Sequence, residues 1–221
     1  MTFDVAFLLS TLPSFAAATL MTLKVGCLAI IASLAVSLLT NAALVLGVPG
    51  AAVTVRVYVE LARNTPLLIQ LFFIYFALPS LGVQVSGFAS AIIAMTFLGG
   101  AYLTEVVRAG VEAVPKAQLE SGQAIGLGRL QLLRYVVLPQ AGIFSLPALF
   151  ANVIFLLKET TVVSAVAVPE LLYTTKSYIA LYYKTYEMLA VLTGVCLLLF
   201  LPLSLLLGHL ERRLQRGHYG F

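Results

Sequence analysis

The sequence predicts an all-α integral membrane protein with five transmembrane helices and a long cytoplasmic loop. Three observations carry that prediction. Of 221 residues, 61% are apolar and only 10% are charged. The apolar residues gather in runs long enough to cross a bilayer, and the basic residues collect in alternate connections between those runs. A water-soluble domain of this size has no way to cover such a composition with a wetted surface. Strict alternation of apolar and polar residues is absent, which argues against a barrel.

Crossing the hydrocarbon core takes about 20 residues of helix, with every backbone polar group satisfied inside the segment. The opening segment, residues 1–18, is expected on the outer side; it begins Met1-Thr2-Phe3-Asp4 and has no basic residue before Lys24. It therefore lacks the basic start of a secretory signal, and the first apolar run is expected to be retained. That run, 21–47, is the first predicted span. The second, 66–82, begins at Pro66 and ends in the uncharged Ser80 to Gly87 connection, which suits a short outer turn. The third is expected over 87–107, the fourth over 139–157 from Pro139, and the fifth over 187–209. The membrane domain as a whole covers 19–213, followed by a cytoplasmic tail, 214–221.

Lys and Arg are retained on the cytoplasmic side, so their positions set the orientation. Arg56 and Arg63 follow the first span, Arg108, Lys116, Arg129 and Arg134 the third, and Arg212, Arg213 and Arg216 the fifth. The opposite side receives Lys24, Lys158, Lys176 and Lys184, offset by Asp4, Glu159, Glu170 and Glu187. An odd number of spans with this bias puts the N-terminus outside and the C-terminus inside. The basic residues form no stripe interleaved with aromatic residues, so nucleic acid is not an expected partner; membrane lipid is. Cys27 and Cys196 lie within apolar runs, and His209 and His218 stand apart from any cluster of metal-ligating residues.

Two connections are too long to be turns. The outer one, 158–186, carries Tyr173, Tyr178, Tyr182, Tyr183 and Tyr186, which suit interfacial anchoring or the lining of a way in. The inner one, 110–138, reads as a helix-glycine-helix elbow. Pro115 fits a first helical turn, a helix from Lys116 ends around Gly126 to Gly128, and a second helix carries Leu130, Leu133 and Arg134 toward Pro139. Such an elbow is either a knob with apolar anchors for a partner's groove or an amphipathic segment lying on the membrane. Physical reasoning alone leaves both open.

The same loop resembles the inner-loop motif of ABC importer permeases, which runs Glu-Ala-Ala, three residues, Gly, nine residues, Ile-x-Leu-Pro. Here Glu120-Ser121-Gly122 stands at the triplet, Gly126 at the glycine and Val136-Val137-Leu138-Pro139 at the end, with the spacing kept. Arg63-Asn64-Thr65-Pro66-Leu67-Leu68-Ile69-Gln70 is similar to the start of the second span in permeases for polar amino acids of the histidine, glutamine and arginine type. Gly100 to Gly110 resembles the end of their third span, and Leu156-Leu157-Lys158-Glu159-Thr160-Thr161 the segment after their fourth, where Asp is commoner than Glu159.

The resemblance implies the type I importer fold, an assembly and a location. Two permease subunits, copies or homologues, pair above two ABC ATPase subunits in a bacterial cytoplasmic membrane, and an extracytoplasmic binding protein delivers a polar amino acid. The chain has no Gly-x-x-x-x-Gly-Lys-Ser/Thr phosphate loop. It is therefore expected to bind no cofactor and perform no catalysis itself, with ATP and Mg on the partner ATPase. Lys116, Leu119, Glu120, Gln123, Ala124 and Gly126 are implied to form the coupling element. Polar groups at membrane depth are functional candidates. Gln70 suits a substrate contact or an interhelical hydrogen bond. Lys158 and Glu159 suit the ends of a zwitterion, an internal ion pair, or snorkelling to the interface, and Thr161 is a candidate on the same pathway. Glu105 and Arg108 are spaced for a local pair, and Arg63 and Thr65 lie at the inner mouth. The competing classes are a gradient-driven carrier or channel, for which inverted repeats are missing, and a membrane assembly protein without transport.

Overall fold

A computed structural model of the chain describes residues 4–219, with side chains through Leu214. Much of the expected tail, including Arg216 and His218, thus lies outside the described side chains. All described elements are helical.

Helix α1, Val5–Val45, is far longer than the predicted first span and absorbs most of the segment assigned to the outer face. Its first half carries hydroxyl residues that lower its hydropathy. They bond back to their own helix, Ser10 Oγ donating to the Phe7 carbonyl at 2.7 Å, Thr11 to Leu8 at 2.8 Å and Thr19 to Phe15 at 2.7 Å, which satisfies each hydroxyl within the helix. Asp4 caps the helix by accepting from Phe7 N–H at 2.9 Å.

Residues 51–63, read from sequence as part of an inner connection, form helix α2, Ala51–Arg63. It turns by 100° into the second span, which is helix α3, Leu67–Phe72, continued by a π turn, Phe73–Ala77, and a 3₁₀ turn, Leu78–Leu81. Helix α4, Gly87–Glu112, is the most buried of the long helices. It packs on α1, α2 and helix α7, Leu138–Glu159, through small residues, Ala94, Gly99 and Ala101 among them, which let the backbones approach closely.

The loop elements are α5, Lys116–Ala124, and α6, Arg129–Leu132. A π turn, Leu133–Val137, joins α6 to α7, Leu138–Glu159, without a break. The boundary expected at Pro139 is therefore absent. Pro139 has no N–H and crowds the carbonyl one turn back; the wider turn, in which Leu138 N–H donates to the Leu133 carbonyl, accommodates it.

A 3₁₀ stretch, Thr160–Val166, follows α7, then α8, Leu171–Tyr182, and α9, Thr185–Tyr219. Among the described residues four helices are long and apolar enough to span a bilayer, and the bent α2–α3 pair, counted as one span, brings the number to five. Leu20, Ile31, Leu39, Leu198 and Leu205 point outward from α1 and α9, as lipid-facing residues do.

Contacts fix the relative direction of the spans. Lys24 lies over the Phe88 ring and Thr40 Oγ1 meets Thr104 Oγ1 at 2.8 Å, so α1 and α4 run parallel. Gly110 of α4 adjoins Ser145 of α7, while Gly99 adjoins Leu156, so α7 runs the other way. The loop 110–138 and the connection 160–184 thus lie at opposite ends of the bundle. Of the outer tyrosines, Tyr178 bonds Ser14 Oγ at 2.8 Å and stacks with Tyr182 near Phe7, tying α8 to α1. Tyr183 and Tyr186 are exposed.

Candidate functional site

The elbow is built on a small core of its own. Val114, Val137 and Ala141 are buried together, with Leu119, Leu133 and Phe144 packed around them. Pro115 opens α5, and Leu119 turns partly inward to this core, whereas Lys116, Glu120, Gln123 and Ala124 are exposed. The helix expected to end around Gly126 to Gly128 ends at Ala124, with Gly126 in the turn that closes it. Gly126 takes φ +87°, with its N–H donating to the Gln123 carbonyl at 2.9 Å and Leu127 N–H to the Gly122 carbonyl at 3.0 Å. That bond pair is the Schellman ending, and it requires a residue at ease in the left-handed region.

Gly122, where the family motif has Ala, sits directly under the Leu132 side chain, so the smaller residue lets α5 close onto α6. Gln131 Oε1 accepts from Gly128 N–H at 2.9 Å and starts α6. Around this turn Ile125 and Leu130 are 78% and 74% exposed. The result is a rigid knob with two apolar tips and a polar flank, projecting from the α4–α7 end of the bundle.

Behind the knob lies a charged cluster. Arg108 holds Glu105 through two hydrogen bonds of 3.0 and 2.8 Å and pairs also with Glu112, while Arg63 reaches the same Glu105 oxygen at 3.7 Å. The local pair expected from spacing is thus one edge of a four-residue network linking α2 to α4. Arg63 also stacks over the Tyr102 ring, 5.3 Å from its centroid.

The candidate pathway residues are not all brought together. Lys158 and Thr161 line a groove of about 630 Å³ with Leu192, Cys196 and Phe200 of α9. Thr161 Oγ1 donates to the Lys158 carbonyl at 3.0 Å. Glu159 is half-buried, and among the described residues it forms no ion pair with Lys158. Gln70 lies outside this groove, buried in the elbow, where its Nε2 donates to the carbonyls of Ala62 and Thr65, each at 2.9 Å.

Sequence reasoning gave Glu170 no role beyond charge balance. Its carboxylate is fully buried and caps α8, accepting from Leu172 N–H at 2.9 Å and Tyr173 N–H at 2.6 Å. Burial pushes its pKa up to about 7, against the pull of those two N–H groups and of Lys176. The signal was present in Pro169-Glu170 immediately before a helical run, an acidic N-cap behind a proline.

A model of the family described as the inner membrane component of binding-protein-dependent transport systems matches residues 51–216, well over half of the chain. The chain belongs to that family. It is a membrane-embedded ABC transporter permease subunit, and the fold expected from the inner-loop motif is the fold observed.

The permease is 32% identical over 217 residues to the glutamine transport system permease protein GlnP of Escherichia coli, covering 97% of this chain and 99% of that one. Over 154 residues it is 36% identical to the probable glutamine ABC transporter permease GlnP of Bacillus subtilis, covering 70% and 71% of the two chains. It superposes with a TM-score of 0.91 on the crystal structure of an amino acid ABC transporter with histidines, at 30% identity, covering 96% of this permease and all of that chain. A MetNI methionine transporter structure matches at a TM-score of 0.70 and 20% identity, which supports the fold alone. Membership implies ATPase and substrate-binding partners in general terms.

Proposed function

We propose that this permease carries a polar amino acid across a bacterial cytoplasmic membrane, paired with a second copy or a homologue. It receives substrate from an extracytoplasmic binding protein and is driven by two ABC ATPases that hold ATP and Mg. The observation that carries this reading is the α5–Gly126–α6 knob. Its exposed Ile125 and Leu130, flanked by Lys116, Glu120 and Gln123, suit a groove on a soluble partner. Its rigid base joins the partner's motion to α4 and α7, the two spans that meet at Gly110 and Ser145.

In this reading the knob faces the cytoplasm and the N-terminus lies outside, as the basic residues favour. Lys158, Glu159 and Thr161 lie at the other end of α7, where one charge meets the carboxylate and the other the ammonium of the substrate. Gln70 shapes the α2–α3 elbow beside the path. The polar amino acid class is supported by the likeness to glutamine permeases along nearly the whole chain. The test is uptake of radiolabelled amino acids into proteoliposomes holding the permease with its ATPases and binding protein. Uptake that needs ATP and the binding protein supports the reading; uptake driven by an ion gradient without the ATPase contradicts it.

A further inference from the structure

A cavity of about 410 Å³ opens beside the charged cluster, lined by Arg63, Tyr102, Glu105, Phe144, Ser145 and Asn152, among others. Its floor is the last third of α4, one to two turns before the knob. The two guanidinium groups on its wall are differently engaged. Arg108 is held by Glu105 through two hydrogen bonds and by Glu112 on its other side. Arg63 donates no hydrogen bond among the described residues and has only the 3.7 Å approach to a Glu105 oxygen that Arg108 already occupies.

A guanidinium carries five donors in a rigid plane. The guanidinium lies over the Tyr102 ring, its Cζ 5.3 Å from the centroid, and Tyr102 is itself braced edge-on by Phe155 at 5.6 Å. The network of Arg63, Arg108, Glu105 and Glu112 is balanced in charge, yet Glu105 accepts its hydrogen bonds from Arg108, so the N–H donors of Arg63 stay open toward the cavity. A planar anion that accepts two parallel N–H bonds fits those open donors. Asn152, whose Nδ2 donates to the Ala148 carbonyl at 2.8 Å, also lines the cavity, and its amide oxygen makes no hydrogen bond among the described residues.

We infer that this cavity is a release station for the transported amino acid, with Arg63 taking its α-carboxylate in a bidentate pair on the knob side of the membrane. The inference rests on the importer reading, which fixes which side the knob faces. A free amino acid supplies both the carboxylate for Arg63 and an ammonium for the Asn152 side; a simple anion supplies only the first.

The experiment uses the complete complex in proteoliposomes with its ATPases facing the lumen. The lumen is loaded with whichever of L-glutamine, L-arginine or L-histidine is taken up fastest, with its decarboxylated amine (4-aminobutanamide, agmatine or histamine), or with sodium acetate. Initial uptake rate is read against luminal concentration. The amino acid is expected to slow uptake of the native complex at least threefold, by occupying the release station, while the amine does not. Arg63→Gln and Tyr102→Leu are each expected to raise the half-slowing concentration about tenfold relative to their own unloaded rates, and Arg63→Lys, which keeps the charge without the fork, to fall between.

Slowing by the amine equal to that by the amino acid overturns the inference, as does an Arg63→Gln complex that inserts, transports and is slowed like the native one. Slowing by acetate as strong as that by the amino acid shows a general anion site and overturns the amino acid assignment. Should Arg63→Gln fail to insert, Tyr102→Leu and Arg63→Lys decide by the same shift. Native complex that takes up no amino acid with ATP, loaded or not, defeats the importer reading, and the inference falls with it.

Discussion

The side-chain amide of Gln70 donates to the Ala62 carbonyl, which would otherwise bond the N–H of residue 66. That residue is Pro66 and has no N–H. The 100° break between α2 and α3 is thus held by a side chain replacing the bond that proline removes.

Replacing Gln70 by Leu leaves the Ala62 and Thr65 carbonyls without this donor in a buried elbow, a loss of about 1–3 kcal/mol. The thermal unfolding midpoint of the purified permease should fall, while KM for transport stays near the native value. A large rise in KM with unchanged thermal stability would instead make Gln70 a substrate contact.

Glu159→Gln should act in the opposite way. Glu159 sits half-buried at the end of α7, beside a groove-lining Lys158 with which it makes no pair. Removing its charge should raise KM about tenfold, a loss of about 1.4 kcal/mol, with little effect on unfolding. Kinetics are read with saturating binding protein.

Glu170 predicts a pH dependence of stability. Its folded pKa, about 7, lies above the ordinary 4.5, so the folded protein holds this proton more tightly than the unfolded chain. The contribution is fully present below the ordinary value, declines as pH rises toward 7, and is flat above it. Glu170→Gln should flatten this part of the melting-temperature profile while keeping an acceptor for α8. Glu170→Ala should flatten it too, and cost about 1 kcal/mol for the lost cap.

The pair between Arg108 and Glu105 is only partly shielded, with Arg108 43% and Glu105 28% exposed. Glu105→Gln should cost under about 1 kcal/mol, less in high salt. A larger, salt-insensitive loss in unfolding experiments would mean that the network is buried in the assembled transporter.

The spans were legible where apolar runs were long and uniform. The third was placed within a few residues of α4, because Ser86 caps its start by accepting from Ala89 N–H. Helix α1 starts well before the expected boundary near residue 19, and the hydroxyls of Ser10, Thr11 and Thr19 in that stretch are each satisfied on their own helix. The run through Pro139 was missed because a π turn leaves no compositional mark. In the loop, Gly126 was legible as a helix ending, and its positive φ is the physical content of that glycine in the motif. The Arg63–Tyr102 stack was not, since it joins residues on different helices whose approach depends on the elbow.

In the proposed mechanism the knob transmits the ATPase cycle to α4 and α7. This coupling is tested most directly by ATP hydrolysis of the reconstituted complex, stimulated by substrate-loaded binding protein, comparing the native chain with Glu120→Lys and Gly126→Val. A side chain branched at Cβ at the left-handed position should strain the turn by about 1–2 kcal/mol, and reversing the charge at Glu120 should oppose docking. Both variants are expected to insert normally and lose most of the stimulation. Full stimulation in both would contradict the mechanism and leave the knob a surface feature of the bundle.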